Sequence, residues 1–321
     1  MDSADSVALS RTDTGHTLTS APFPLTAAQR GLWFAQHLMP DVPITIANYI
    51  DVHGELDGAL MRGAVEQAAA ELGAGSLRLV EIDGEPHQYI DKSTRHESTD
   101  LDFTQEPDPE AAAIDWMQAA YSQPIDIIEG PLIRAATLRV GADRTFWYSH
   151  VHHIALDGYG AVRLMNRAAE IYTAVQAGES PSVSKAGALE DVYAAEDEYR
   201  SSSRFEKDRE YWREKTRGLP APVSPSGIVA PPAPRSRICG EPLPQTLEKA
   251  LTRAADRLGS AFAPLAVSAV AAFLSRLTGN DDIVLSLPVA GRTTAVLRRS
   301  GGMVSNVLPI RVRIAPETTV A

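Results

Sequence analysis

Apolar residues recur along this chain with two periods, and the changes between them sketch its elements. Thr45–His53, TIANYIDVH, alternates like a half-buried strand, and residues 60–72 then place Ala64, Val65, Ala68 and Leu72 on one helical face. Leu77–Ile82 predicts a second strand. Residues 107–121 predict a helix opened by prolines and carrying Ile114, Met117, Ala120 and Tyr121. Residues 132–140 and 145–151 predict a hairpin about Gly141, Ala142, Asp143 and Arg144. Beyond a short histidine-bearing stretch, Leu164, Met165, Ala168, Ile171, Tyr172 and Val175 return at helical spacing until Gly178 supplies a stop. Further on, the pattern predicts a charged helix over 189–216, a helix over 246–258, a buried apolar helix within 261–274, and strands near 283–288 and 304–313.

This order of strands and helices is that of an α/β protein in two lobes. Ser, Thr and Asp dominate as far as Pro22, so residues 1–21 are expected to be a flexible leader. The stretch GESPSVSKAG, 178–187, has the composition of a linker and sets the expected boundary: a first lobe over 22–178 and a second over 179–321. No repeat of 20 to 50 residues is visible.

Composition narrows the function. At 321 residues and 44% hydrophobic content the chain can build sizeable cores, and its net charge of −11 has the wrong sign for tracking phosphate backbones, so nucleic acid is not an expected partner. The apolar run in 261–274 holds Pro264 and Ser268 and falls short of the ~20 residues a bilayer span needs, so no membrane partner is expected. The first residues lack the basic and apolar regions of an export signal, which makes the cytoplasm the expected compartment. Cys239 is the only cysteine; it excludes an internal disulfide or a thiolate metal cluster and reads as a small core residue.

The chemistry concentrates in HVHHIALDG, residues 150–158. Strand alternation turns Tyr148, His150 and His152 to one face and Ser149, Val151 and His153 to the other, so the adjacent histidines cannot share a task. His150 and His152 can supply two ligands to a metal, but a metallo-hydrolase pattern would need an aspartate at Ile154 and a histidine at Ala155. His152 reads as a core histidine and Asp157 as the cap of the helix that follows. His153 lies at a strand end beside a loop in which Gly158 lets a ligand or backbone approach closely. Two readings of it stay open from spacing alone, a general base and a packed strand-end ring.

The stretch HHIALDG, 152–158, resembles the H-H-x-x-x-D-G signature of nonribosomal peptide synthetase condensation domains. Several further motifs stand in that family's order: PLTAAQRGLWFAQ (24–36), SLRL (76–79), REYWREKTRGLP (209–220), LSLPVAGR (285–292) and GGMVSNVLPIRV (301–312), the last two including Arg292 and Asn306. The resemblance implies two chloramphenicol-acetyltransferase-like α/β sandwich lobes. A tunnel between them would admit the 4′-phosphopantetheine arms of donor and acceptor peptidyl or aryl carrier proteins. It implies amide formation between carrier-bound thioesters, in nonribosomal peptide or siderophore biosynthesis, with no cofactor bound covalently by this chain and no metal.

Carried over residue by residue, His153 is the base or positioner of the attacking amine, and Gly158 brings a backbone N–H toward the oxyanion. His152 packs, Asp157 is a structural carboxylate paired with an arginine for which Arg78 is the candidate, and Asn306 lines the tunnel. Gly160 stands where the family usually has serine, which is expected to loosen the helix start. The segment after Arg78 is also shorter than usual. The resemblance spans 22–320 and stops after the asparagine motif, so the second lobe is expected to be incomplete, lacking roughly the last quarter of the family's domain. Two other functions are compatible: a stand-alone acyltransferase of the same superfamily using coenzyme A or a carrier, and an inactive remnant that only binds carriers.

Overall fold

The computed structural model describes residues 18–94, 97–221, 223–228, 230–233, 240–315 and 317. The described residues divide into two compact units, one within 1–201 together with 290–305 and one within 202–289 together with 306–321.

The first unit begins with a short strand β1 (Phe23–Pro24) and helix α1 (Ala27–Leu38), followed by β2 (Thr45–His53) and α2 (Gly58–Glu71). The order continues β3 (Leu77–Ile82), β4 (Glu85–Ile90), β5 (Glu97–Asp102), α3 (Pro109–Tyr121), β6 (Ile133–Gly141), β7 (Arg144–His152), α4 (Gly158–Gln176) and α5 (Leu189–Arg200). Four strands form a mixed sheet in the order β2-β7-β6-β5, parallel only between β5 and β6, and a smaller antiparallel sheet runs β1-β4-β3. Alternation sorts the larger sheet into two cores. Ile133, Ala135, Trp147 and Val151 pack with α2 and α4, while Ala136, Leu138, Val140, Phe146 and Tyr148 pack with α3. The β6–β7 hairpin turns through Ala142 and Asp143, as its sequence predicts.

The second unit holds α6 (Ser203–Lys215), α7 (Gln245–Arg257) and α8 (Phe262–Thr278), with an antiparallel strand pair β8 (Asp282–Val289) and β9 (Asn306–Arg313). Between those strands the chain enters the first unit, where it forms the short helix α9 (Ala295–Arg299). Among the described residues no single helix is long and apolar enough to cross a membrane.

Four differences from the expected organisation have identifiable causes. The single charged helix over 189–216 is two helices, because the Ser202 hydroxyl accepts the Phe205 N–H and caps α6, breaking the run after Arg200. The division falls after Ser201 and not at 178, because the supposed linker is pinned to the first unit. Arg167 donates to the Ser182 carbonyl at 2.6 Å, the Gly187 N–H donates to the Arg299 carbonyl at 3.1 Å, and Leu189 is buried in the core. The last leader residues are also fixed: Leu18 is buried and the Ser20 hydroxyl accepts the Ile90 N–H. Residues 1–17, and Cys239 with its expected core role, lie outside the described residues. Finally, β4 and β5 have too many polar residues to read as strands; β5 is an edge whose exposed side chains need no apolar alternation.

Candidate active site

The histidine motif leaves the end of β7 and enters α4. The His153 N–H donates to the Ile44 carbonyl at 2.9 Å, which extends the β2–β7 pairing past the strand end. One step earlier His152 is fully buried, and both of its ring nitrogens are engaged. Nδ1 accepts the Ile154 N–H at 3.1 Å, and Nε2 lies 3.0 Å from Gln36 Oε1. Burial first, and then the neighbouring rings of His153 and His150, pull its pKa down to about 4. His152 is therefore a neutral structural ring with no lone pair free for a metal. His150, on the same face, is also buried and pulled down to about 4, by burial and then by Arg134. His153 differs from both. Its ring is partly exposed, and its Nδ1 is shielded from solvent with no hydrogen-bond partner among the described residues.

Asp157 is the N-cap of α4, as expected, with Oδ1 accepting the Gly160 N–H at 2.9 Å. It is also the fully buried centre of a larger network. Arg292 grips it with two nitrogens, at 2.6 Å on Oδ2 and 3.0 Å on Oδ1, and the amides of Val304 and Ser305 donate to Oδ2 at 3.0 and 2.8 Å. Burial pushes this carboxyl up, but Arg292 and the amides of Gly160 and Val304 outweigh it and hold the group below the usual carboxylate range. A carboxylate so satisfied is a poor proton acceptor.

The expected partner, Arg78, is elsewhere. Its guanidinium donates to the Gly130 carbonyl at 2.6 Å and to the Thr94 hydroxyl at 3.2 Å. The reason is topological: Arg78 sits on β3 in the smaller sheet, whereas the segment 290–305 returns to the first unit and delivers Arg292 to the carboxylate. Arg292 is further braced by the Tyr159 ring, 4.3 Å from its guanidinium carbon. The signal for this pairing was in the sequence, since Arg292 closes LSLPVAGR, but nothing local connects it to a residue so far back in the chain.

Gly158 and Gly160 differ in what they allow. A Cβ at Gly158 would meet nothing within 4 Å, so this glycine leaves open space beside the motif, and as the first residue of α4 its N–H is one of the donors a helix cannot satisfy internally. A Cβ at Gly160 would lie 2.1 Å from the Gly301 carbonyl oxygen. The expected loosening at Gly160 is thus replaced by a close backbone contact, and a serine there would collide. Asn306 belongs to the second unit, where its side-chain oxygen accepts the N–H of Val307.

The condensation-domain family model matches residues 20–321. The chain belongs to the condensation-domain family. This condensation domain is 37% identical to the isonitrile lipopeptide synthase of Streptomyces coeruleorubidus over 91% of its length and 20% of that protein's. It is 34% identical to the dimodular nonribosomal peptide synthase of Bacillus subtilis over 91% and 12%. Against enterobactin synthase component F of Shigella flexneri it is 30% identical over 94% and 24%. The chain thus spans a quarter or less of the curated relatives it matches. Among solved structures, the first condensation domain of the calcium-dependent antibiotic synthetase superposes with a TM-score of 0.85 at 31% identity, covering 93% of this chain and 71% of that one. A variant of the starter condensation domain of rhizomide synthetase in complex with C8-CoA gives 0.83 at 32%, covering 92% and 67%. The fold is the chloramphenicol-acetyltransferase-like fold of these condensation domains, with open sheets.

Proposed function

We propose that this condensation domain joins two acyl groups presented as thioesters on the 4′-phosphopantetheine arms of a donor and an acceptor carrier protein, with His153 as its catalytic residue. The acceptor's amine nitrogen attacks the donor's thioester carbonyl. The C–N bond forms, the C–S bond breaks, and the proton lost by the amine passes through the His153 ring to the departing thiolate. The Gly158 N–H, one of the donors in the first turn of α4 that have no acceptor within the helix, donates to the oxyanion of the tetrahedral intermediate. Asn306 borders the path of the arms.

One contrast carries this reading. Of the titratable side chains in HHIALDG, His152 has both nitrogens engaged and Asp157 accepts five hydrogen bonds, whereas His153 keeps a partly exposed ring without a fixed partner. Proton transfer falls to the side chain whose ring is accessible and not committed to a structural bond. A second reading, in which the donor is an acyl-coenzyme A, is favoured by the likeness to the rhizomide synthetase domain solved with C8-CoA.

The test is single-turnover transfer with loaded donor and acceptor carriers, and with an acyl-coenzyme A replacing the donor carrier. His153→Ala should slow amide formation by about 10²- to 10⁴-fold with little change in melting temperature. Near wild-type transfer by His153→Ala would leave His153 a packed strand end. Transfer from coenzyme A alone would move the donor assignment to the second reading.

A further inference from the structure

Both chain neighbours of His153 are gripped by glutamines from one helix. Gln29 and Gln36 lie two turns apart on α1 and are 4% and 8% exposed. The Gln36 amide has only one sensible orientation, because its nitrogen lies within 3.1 to 3.3 Å of the carbonyls of Met39, Pro40 and Val42. Its oxygen is thereby left facing His152 Nε2 at 3.0 Å. An imidazole whose Nδ1 accepts the Ile154 N–H must carry its proton on Nε2, and Gln36 Oε1 is the acceptor waiting for it. On the far side, Gln29 Nε2 donates to the Ile154 carbonyl at 3.2 Å, and it also donates to Gln88 Oε1. Gln29 Oε1 accepts from Thr26 and Gln88, so this amide too is fixed. Residue 152 is held through its ring, residue 154 through both its N–H and its carbonyl, and the N–H of His153 itself goes to Ile44.

We propose that Gln36 is a positioning residue for His153 and acts through His152. It selects the Nε2–H form of His152, which frees Nδ1 to hold the Ile154 amide and so sets the backbone from which the His153 ring projects; Gln29 supplies the second grip. The alternative is that Gln36 merely satisfies the carbonyls at the end of α1. That alternative gives no reason for its oxygen to govern the state of a ring on another element.

The effect on turnover rests on the catalytic reading of His153, so the first readout is independent of activity. In the ¹⁵N-labelled chain at pH 7, long-range ¹H–¹⁵N correlations should show His152 protonated on Nε2 alone. Gln36→Leu should remove that single form. Gln36→Glu places a carboxylate against Nε2 and should make His152 protonate at a higher pH than in the wild type; the titratable rings facing it, His150 and His153, are the same in both proteins. In carrier-to-carrier transfer, Gln36→Leu should lower kcat by about 10- to 100-fold while KM stays within about twofold, and Gln36→Glu should recover part of the loss. If Gln36→Leu does not fold, the Gln36→Glu titration decides alone. His152 resonances that ignore the substitutions would overturn the proposal. Resonances that respond while transfer survives both Gln36→Leu and His153→Ala would uphold the grip on His152 and sink the catalytic reading.

Discussion

In the first unit, a carboxylate that solvent does not reach accepts five hydrogen bonds; in the second, α8 turns Val270, Phe273 and Leu277 outward, with Leu287 and Val307 exposed on the two-stranded sheet. The loop of the first unit is specified by polar satisfaction. Both oxygens of Asp157 are satisfied by the donors that face them, so removing Asp157 or Arg292 strands a buried charge. The second unit buries few side chains among its described residues. The same polypeptide thus contains a region where one atom matters and a region where a whole side chain matters little.

The largest effect separating the regions is expected at Asp157. Asp157→Ala leaves Arg292 buried and unpaired and should destabilise the first unit by roughly 3 to 5 kcal/mol, read as the midpoint of denaturant unfolding. A loss below about 1 kcal/mol would mean that the network is wetter than its burial indicates.

Next comes acid. His150 and His152 are neutral when folded, with pKa values pulled to about 4, whereas in the unfolded chain they bind protons from about pH 6.5 downward. The unfolded state therefore binds more protons between pH 6.5 and about 4, and stability falls as pH falls through that window, by on the order of 3 kcal/mol for each ring. Asp157 adds nothing there, because its depressed pKa confines its contribution to lower pH. Unfolding free energies at pH 7 and 4.5 check this, and His150→Leu should flatten the slope. An unchanged slope would show that the ring takes up its proton without leaving the fold.

A smaller effect is expected at Gly160. Gly160→Ser forces a side chain against the Gly301 carbonyl, whose neighbours Val304 and Ser305 must keep their bonds to Asp157, and should cost about 1 to 3 kcal/mol. A neutral outcome by thermal melting would show that the 300–305 segment can step back.

The smallest effect belongs to the second unit. Phe273→Ser and Val307→Thr, at side chains 60% and 56% exposed, should each change stability by less than about 0.5 kcal/mol. A cost near 2 kcal/mol would erase the comparison, since it would require these faces to be covered.

Much of the first unit is legible because its elements announce themselves locally. Thr45–His53 alternates, α4 keeps its apolar stripe from Leu164 to Tyr172, and the hairpin bears its turn at Ala142 and Asp143. The polar edge strand β5 has no apolar pattern, and the 182–187 segment has a linker's composition while being hydrogen-bonded to Arg167 and Arg299. Backbone pairing and long-range hydrogen bonds leave no mark on local composition.

By itself, the sequence determined the α/β order, the opposite facing of His152 and His153, the cap at Asp157 and the membership of a family, because strand period, cap chemistry and motif spacing are properties of neighbouring residues. Only the tertiary structure decided that Asp157 pairs with Arg292 and not Arg78, that Gly160 is a contact and not a defect, and that Gln36 holds His152. Each of these joins residues between 116 and 141 positions apart or rejects a pairing that motif order favoured. Which of two arginines reaches a buried carboxylate depends on where the sheets and the returning 290–305 segment place them, and charge alone is the same for both.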